Sequence, residues 1–260
     1  MVELTTPNRP MVVAHRGASG HMPENTLASF ELAVEMRADM MELDVHPCRD
    51  GTLVVMHDET VDRTTDGSGR ISEMSLEEVR RLDAAAKSKL GRREQVPTFG
   101  EVLERFSKRI PLAVEVKHGS SVYSGVEKTV VQELRKHGAE DRVELISFDL
   151  DCLRNLKKED PSLKTGFIFI GNMASFSDLL KGQVDALHGR WNFVSKEQVT
   201  HAKRAGLPTF VWTVDTSSDI RDAVKLGADG IVSNFPERVL GVLGAPGAQD
   251  LGKDVSGLEG

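Results

Sequence analysis

Four short runs in this sequence gather ionisable side chains of the kinds that do chemistry: His15-Arg16-Gly17, Glu42-Leu43-Asp44, His57-Asp58 and Glu115-Val116-Lys117. In an extended strand side chains alternate, so Glu42 and Asp44 point one way, and Glu115 and Lys117 likewise share a side. If both pairs face a common pocket, three carboxylates converge with one ammonium. Three negative charges do not share a partly buried site without compensation, because desolvation disfavours each charged form. One divalent cation supplies it, and an all-oxygen donor set favours a hard ion, Mg2+ or Ca2+, over zinc. The alternative is that Glu42, Asp44 and Glu115 are exposed strand-end carboxylates or ion-pair partners of Arg16 and Lys117, since E-x-D is a common pattern.

A cation beside His15, His57, Arg16 and Lys117 suits a phosphodiester. Arg16 offers the bidentate geometry that matches phosphate oxygens. One histidine would take a proton from the attacking oxygen and the other would give one to the leaving oxygen. An ordinary imidazole pKa near ~6.5 permits both roles at neutral pH. His15 taken alone also reads as a hydrogen-bonded core histidine.

These residues need elements to hold them. Candidate strands are Met11–Ala14, Met40–Val45, Leu53–Met56, Leu112–Val116, Val143–Ile146, Thr165–Ile170, Ala186–Leu187, Thr209–Trp212 and Gly230–Val232. Most are continuously apolar or β-branched, as parallel strands covered on both faces are. Amphipathic stretches lie between them; Leu27, Phe30, Ala33 and Val34 share one face of the first. Capping-box spacings at Ser75…Glu78, Thr98…Glu101 and Ser195…Gln198 mark helix starts, and Gly206 and Gly227 mark helix ends. Setting aside the short Leu53–Met56 run, the alternation predicts a (β/α)8 TIM barrel, with a doubly wound open sheet as the other arrangement of the same elements. Residues 46–95 are too long for one βα connection and predict a small insertion after the second strand. A single domain is expected over 1–243, with a flexible tail, rich in Gly, Asp and Ser, over 244–260. In such a barrel the reactive groups stand at the carboxyl ends of the strands, where all four polar runs fall.

The chain has 260 residues, 33 of them basic and 40 acidic, for a net charge of −7. That acidic balance, with no basic cluster, argues against nucleic-acid partners, which require phosphate neutralisation. The two cysteines, Cys48 and Cys152, fit neither a disulfide scaffold nor a C-x-x-C site. Neither a signal-like apolar start nor a run of the ~20 apolar residues of a membrane span is evident, so a cytoplasmic protein without a stable membrane anchor is expected. The oligomeric state is not legible.

The polar runs belong to a longer ordered series: Pro23-Glu24-Asn25-Thr26, Glu42-Leu43-Asp44-Val45, Asp50-Gly51, Val55-Met56-His57-Asp58, Arg63-Thr64-Thr65, Val96-Pro97-Thr98, Glu115-Val116-Lys117, Ser147-Phe148-Asp149, Val211-Trp212-Thr213-Val214 and Ala228-Asp229-Gly230-Ile231. With His15-Arg16-Gly17 at its head, the series resembles the glycerophosphodiester phosphodiesterase family over residues 12 to about 238. The resemblance implies a barrel enzyme splitting a glycerophosphodiester, a small molecule, into glycerol 3-phosphate and an alcohol. It implies that Glu42, Asp44 and Glu115 hold one divalent cation, that His15 and His57 are general acid and base, and that Arg16 and Lys117 contact the phosphate. It also implies a route in which the neighbouring glycerol hydroxyl attacks phosphorus and water opens the resulting cyclic phosphate.

Trp212 is expected as an apolar wall of the substrate site or as core, Glu24 as a hydrogen-bonding neighbour of the site, and Asn25 and Thr26 as cap residues of the first helix. His46, on the face of Glu42 and Asp44, is a possible extra ligand or phosphate contact. His118, His188 and Trp191 receive no role. The sequence departs from the family at Cys48 and at Ser233-Asn234-Phe235-Pro236; neither is expected to touch the acid–base groups, though both could shape the pocket mouth. Two other readings stay open: lysophospholipase D-type hydrolysis of lysophospholipids, and a non-catalytic phosphate-binding module.

Overall fold

The computed structural model describes residues 2–6, 8–88, 92–171, 180 and 182–245. Eight parallel strands form the wall: β1 (Met11–Ala14), β2 (Met40–Pro47), β4 (Leu112–Val116), β5 (Val143–Ser147), β6 (Lys164–Phe169), β7 (Ala186–Arg190), β8 (Thr209–Trp212) and β9 (Gly230–Ser233). The wall closes because β1 pairs with both β2 and β9, Val13 lying opposite Met40 on one side and Val232 on the other. An open doubly wound sheet is thereby excluded, and the barrel expectation holds. Among the described residues the α-helices are α1 (Leu27–Glu35), α2 (Leu76–Arg80), α3 (Phe99–Phe106), α4 (Val126–His137), α5 (Leu150–Glu159), α6 (Lys196–Arg204), α7 (Ser217–Leu226) and α8 (Pro236–Val242).

The expected capping boxes form at Ser75, Thr98 and Ser195, each hydroxyl accepting the amide three residues on. Gly227 ends α7 in the left-handed conformation, φ 85°. Thr26 caps α1, whereas Asn25 does not; it takes φ 58° and turns its side chain elsewhere.

The segment after the second strand differs from expectation at its start. β2 runs two residues past Val45, because β3 (Leu53–Val55) pairs antiparallel with Val45, His46 and Pro47. The insertion then builds a small core of its own from Cys48, Val54, Val61, Ile71 and Val79. Cys48 therefore lies under the insertion rather than at a pocket mouth, and burial pushes its thiol up to about 12.

Two apolar layers fix the wall. Outward-facing Met41, Leu43, Val114 and Leu145 pack against Phe30, Phe99, Val130 and Leu153 of the helices. Inward-facing Met11, Met40, Ala113, Ile146, Ile168 and Phe210 fill the barrel, with Val2 and Leu4 in the same cluster. This inner filling supports the pocket above it, at the carboxyl ends of the strands. The expected tail lies, from residue 246 on, outside the described residues. Among those described, no helix is long and apolar enough to cross a membrane.

Candidate active site

β2 delivers Glu42 and Asp44, and β4 delivers Glu115 and Lys117, from adjacent strands in register, Asp44 lying opposite Glu115. Alternation points all four into the barrel mouth. Carboxylate oxygens of Glu42, Asp44 and Glu115 lie within 4.8 Å of one another, and all three residues are buried. They are not exposed strand-end carboxylates, but Asp44 and Glu115 are, as the alternative had it, ion-pair partners of Lys117, and Asp44 also of Arg16. Lys117 Nζ sits 2.8 Å from both Asp44 Oδ1 and Glu115 Oε1. Arg16 donates its backbone N–H to Glu42 Oε2 at 2.9 Å, and its Nε lies 3.4 Å from Asp44 Oδ2.

That approach needs the chain after β1 to fold back sharply. Arg16 and Gly17 both take positive φ, 55° and 80°. A Cβ at Gly17 would lie 2.4–2.7 Å from Ser29 atoms, so glycine is required there on two counts.

Three acidic groups face two cationic ones here. Burial, reinforced by the charge of Asp44, holds Glu42 well above the usual carboxylate range. Burial also lifts Glu115 to about 7, Lys117 offsetting it only in part and Asp44 adding to it. Burial works against Asp44 too, but Lys117 and Arg16 outweigh it and hold that carboxyl well below its ordinary value. Lys117 stays raised despite burial because Asp44 and Glu115 stabilise its charge. Two carboxyls left short of countercharge, within reach of a common point and offering only oxygen, fit a hard divalent cation. The cluster can hold a metal ion.

His15 and His57 flank this cluster from different parts of the chain, β1 and the insertion, and line one cavity of about 140 Å3 together with Arg16, Glu42, Glu115 and Trp212. Asn234 accepts from Ser19 Oγ and donates through Nδ2 to Asp215, which orients its amide and makes its Oδ1 the acceptor for His15 Nδ1–H at 2.7 Å. In the neutral ring His15 Nε2 is then the bare nitrogen, 4.0 Å from Glu42 Oε2. Burial, then the charge of Arg16, bring His15 down to about 4. His57 Nδ1 pairs with Asp58 Oδ1 at 2.6 Å and its ring is about one-third exposed. Burial leaves His57 below its ordinary value despite the pull of Asp44.

The Asp58 carboxylate is gripped by Arg63, whose guanidinium also holds both oxygens of Glu24, and Glu24 reaches Arg16 Nη1 at 3.0 Å. One continuous run of alternating charge thus joins His57 to Arg16. Glu24 neighbours the site as expected.

Other expectations need correction. Asn25 is no cap: its Nδ2 donates to Asp44 Oδ2 at 2.9 Å. Asn234, expected to stay clear of the histidines, instead holds His15. His46 is fully buried but outside the carboxylate cluster; its Nε2 lies 3.1 Å from the His57 carbonyl and its Nδ1 3.3 Å from Tyr123 Oη, so it props the His57 main chain. Trp212 is a cavity wall; its indole N–H donates to the His188 carbonyl at 2.9 Å and its ring stands edge-on to Phe148. Phe148 and His188 line the same cavity. A second, open cleft of about 920 Å3 continues outward from His57, Glu115 and Lys117 past Phe148 and Asp149.

Fold and site together define a (β/α)8-barrel enzyme with an acidic, histidine-flanked pocket at the carboxyl rim. The model of the glycerophosphoryl diester phosphodiesterase family matches residues 15–238, and the chain belongs to that family. It is 38% identical over 240 residues to a glycerophosphodiester phosphodiesterase of Caldanaerobacter subterraneus, covering 90% of this chain and 98% of that one. A glycerophosphodiester phosphodiesterase of Bacillus subtilis is 32% identical over 254 residues, 90% of this chain and 86% of its own. A phosphodiesterase of Oleispira antarctica, solved in complex with the product sn-glycerol-3-phosphate, superposes with a TM-score of 0.85 at 29% identity, over 91% of this chain and 98% of that one.

Proposed function

We propose that this protein hydrolyses glycerophosphodiesters to glycerol 3-phosphate and an alcohol, with a divalent cation, Mg2+ or Ca2+, held by Glu42, Asp44 and Glu115. The observation that carries the reading is that His15 and His57, from distant segments, line one small cavity with two of those carboxylates. The similarity to proteins of that name, one solved with sn-glycerol-3-phosphate, supports the same substrate class.

His15 is the general base. It is held neutral with Nε2 bare, so it can take the proton of an attacking hydroxyl. His57 is the general acid: its Nδ1 is anchored on Asp58, and when protonated, a state that Asp44 and Asp58 favour against burial, the ring can protonate the leaving oxygen. Arg16 and Lys117 bind the phosphoryl oxygens, and Trp212 walls the substrate. A bound divalent ion would add stabilisation of the charge that builds on those oxygens. The attacking group is a hydroxyl of the glycerol itself, which gains from its high effective concentration at phosphorus; its attack releases the alcohol and leaves a cyclic phosphate, whose P–O bond water then opens to give glycerol 3-phosphate.

The test is glycerol 3-phosphate release from a panel of glycerophosphodiesters and lysophospholipids after exhaustive chelation, with Mg2+, Ca2+ or neither restored. Turnover is expected on glycerophosphodiesters only with an ion present, and Glu115→Gln should weaken the ion titration. Full activity in chelator removes the cation from the reading, and no release from any diester overturns it.

One observation favours a second reading, hydrolysis of lysophospholipids. The large apolar side chains most exposed among the described residues, Val122, Phe148, Ile170 and Phe193, follow the carboxyl ends of four successive strands, β4 to β7, around the pocket mouth. Preferred turnover of the lysophospholipid arm of the same panel would select it.

A further inference from the structure

A second pair of ionisable residues lies inside the barrel, below the carboxylate cluster. Glu144 of β5 is fully buried and His188 of β7 nearly so, and His188 Nε2 sits 3.1 Å from Glu144 Oε1. Glu144 Oε2 is buried with no partner. Replacing such a pair by apolar side chains is often neutral or stabilising, and an unpaired buried oxygen adds further cost. A polar pair among Ile146, Ile168 and Phe210 therefore calls for a use other than stability.

The surroundings are built around it. Phe210 stacks parallel on the imidazole, centroids 4.7 Å apart. Position 166, between the two strands, is glycine, where a Cβ would lie 2.5 Å from Glu144 Oε1 and 2.8 Å from His188 ring atoms. The ring is thus fixed from its stacked face and through Nε2, and Nδ1 is left without a protein partner among the described residues. His188 lines the 140 Å3 cavity, on a wall otherwise made of Ile146, Ile168, Trp212 and Val232.

We propose that His188, oriented by Glu144, selects a hydroxyl-bearing group at the closed end of the pocket. With a neutral pair Nδ1 accepts a hydrogen bond; with an imidazolium–carboxylate pair it donates one. A hydroxyl satisfies either state, since it both donates and accepts, whereas a methyl group satisfies neither. His188 would thus be a specificity residue for the glycerol portion, and Glu144 a positioning residue acting through it. This rests on the substrate class proposed above.

The experiment compares competitive inhibition by glycerol 3-phosphate and by propyl phosphate, which has the same chain and phosphate but no hydroxyls. The wild-type enzyme should prefer glycerol 3-phosphate. His188→Phe should weaken glycerol 3-phosphate roughly tenfold, the usual cost of one hydrogen bond in a dry site, and shift propyl phosphate by less than about twofold. Glu144→Leu should reproduce that loss, while Glu144→Gln, which keeps an oxygen for Nε2, should restore most of the preference. Equal losses for both ligands, or none, would overturn the proposal. So would equal binding of the two by the wild type, a measurement that needs no variant to fold. Failure to hydrolyse any diester would refute the substrate reading instead; direct binding of the same two ligands by calorimetry still judges His188.

Discussion

The two halves of the barrel mouth are built on opposite physical terms. The half formed by β1, β2, β4 and the insertion is a lattice of buried charge, where Glu42, Asp44, Glu115, Lys117 and Arg16 hold one another in place. The half formed by β5 to β9 presents Ile146, Ile168, Trp212 and Val232, tied to the inner filling through Phe210. The first half is expensive to bury and gains its worth only when a ligand completes its charges. The second gains worth from burial itself. Apart from the Glu144–His188 pair and the Asn234 contact to His15, the buried charge therefore sits on one set of strands and the apolar packing on the other, and substitutions should separate them.

The largest expected effect is on the charged half. His15→Ala or His57→Ala should lower turnover roughly 10²–10⁴-fold while thermal unfolding stays near the wild type; near-normal kcat in either variant would break the division. On the apolar half, Phe210→Ala should cost about 3–5 kcal/mol in urea unfolding, because a fully buried ring leaves a cavity, yet the folded variant should bind the divalent ion as the wild type does. Asn234→Ala is expected to lower kcat roughly five- to tenfold by freeing the His15 ring, with little change in the ion titration. Weaker ion binding in that variant would join what the comparison keeps apart.

The smallest effect lies at the amino-terminal edge of the apolar half, where Asp185 pairs with Lys157 at 2.7 Å and Lys164 at 2.9 Å. Burial opposes its charge, but the hydrogen bond from Lys157 and the Thr165 amide hold its pKa below the ordinary value. A carboxyl depressed by folding adds stability that is present above its unfolded pKa, near ~4, and lost as pH falls through the folded value. Asp185→Asn should therefore lower stability by about 1 kcal/mol at neutral pH and leave the difference smaller below pH ~4. A constant difference at all pH values would show that the loss is packing, not charge.

Much of this division is readable in the chain. The strands announce themselves as apolar runs, and Glu42, Asp44, Glu115 and Lys117 as polar interruptions two residues apart, because both signals are local. Closure of the wall is not local: it depends on β1 meeting β9, at the other end of the chain. Asn234 stands out in the sequence as a departure from the family, but its contact to His15 is not local either, since the two lie 219 residues apart. Asn25 misled because Asn suits a cap as well as it suits a carboxylate neighbour. His188 and Glu144 sit in different strands, and nothing in either strand names the other.

The unbroken run of opposite charges from His57 through Asp58, Arg63 and Glu24 to Arg16 has a consequence for grafting. Three of its residues, His57, Asp58 and Arg63, come from the insertion and two, Glu24 and Arg16, from the turn after β1, so neither piece is a free-standing cassette. A chimera that imports a foreign segment between β2 and α3 keeps this rim only if the newcomer brings the same histidine, acid and base at positions 57, 58 and 63; otherwise Glu24 and Arg16 are left to find new partners within the pocket.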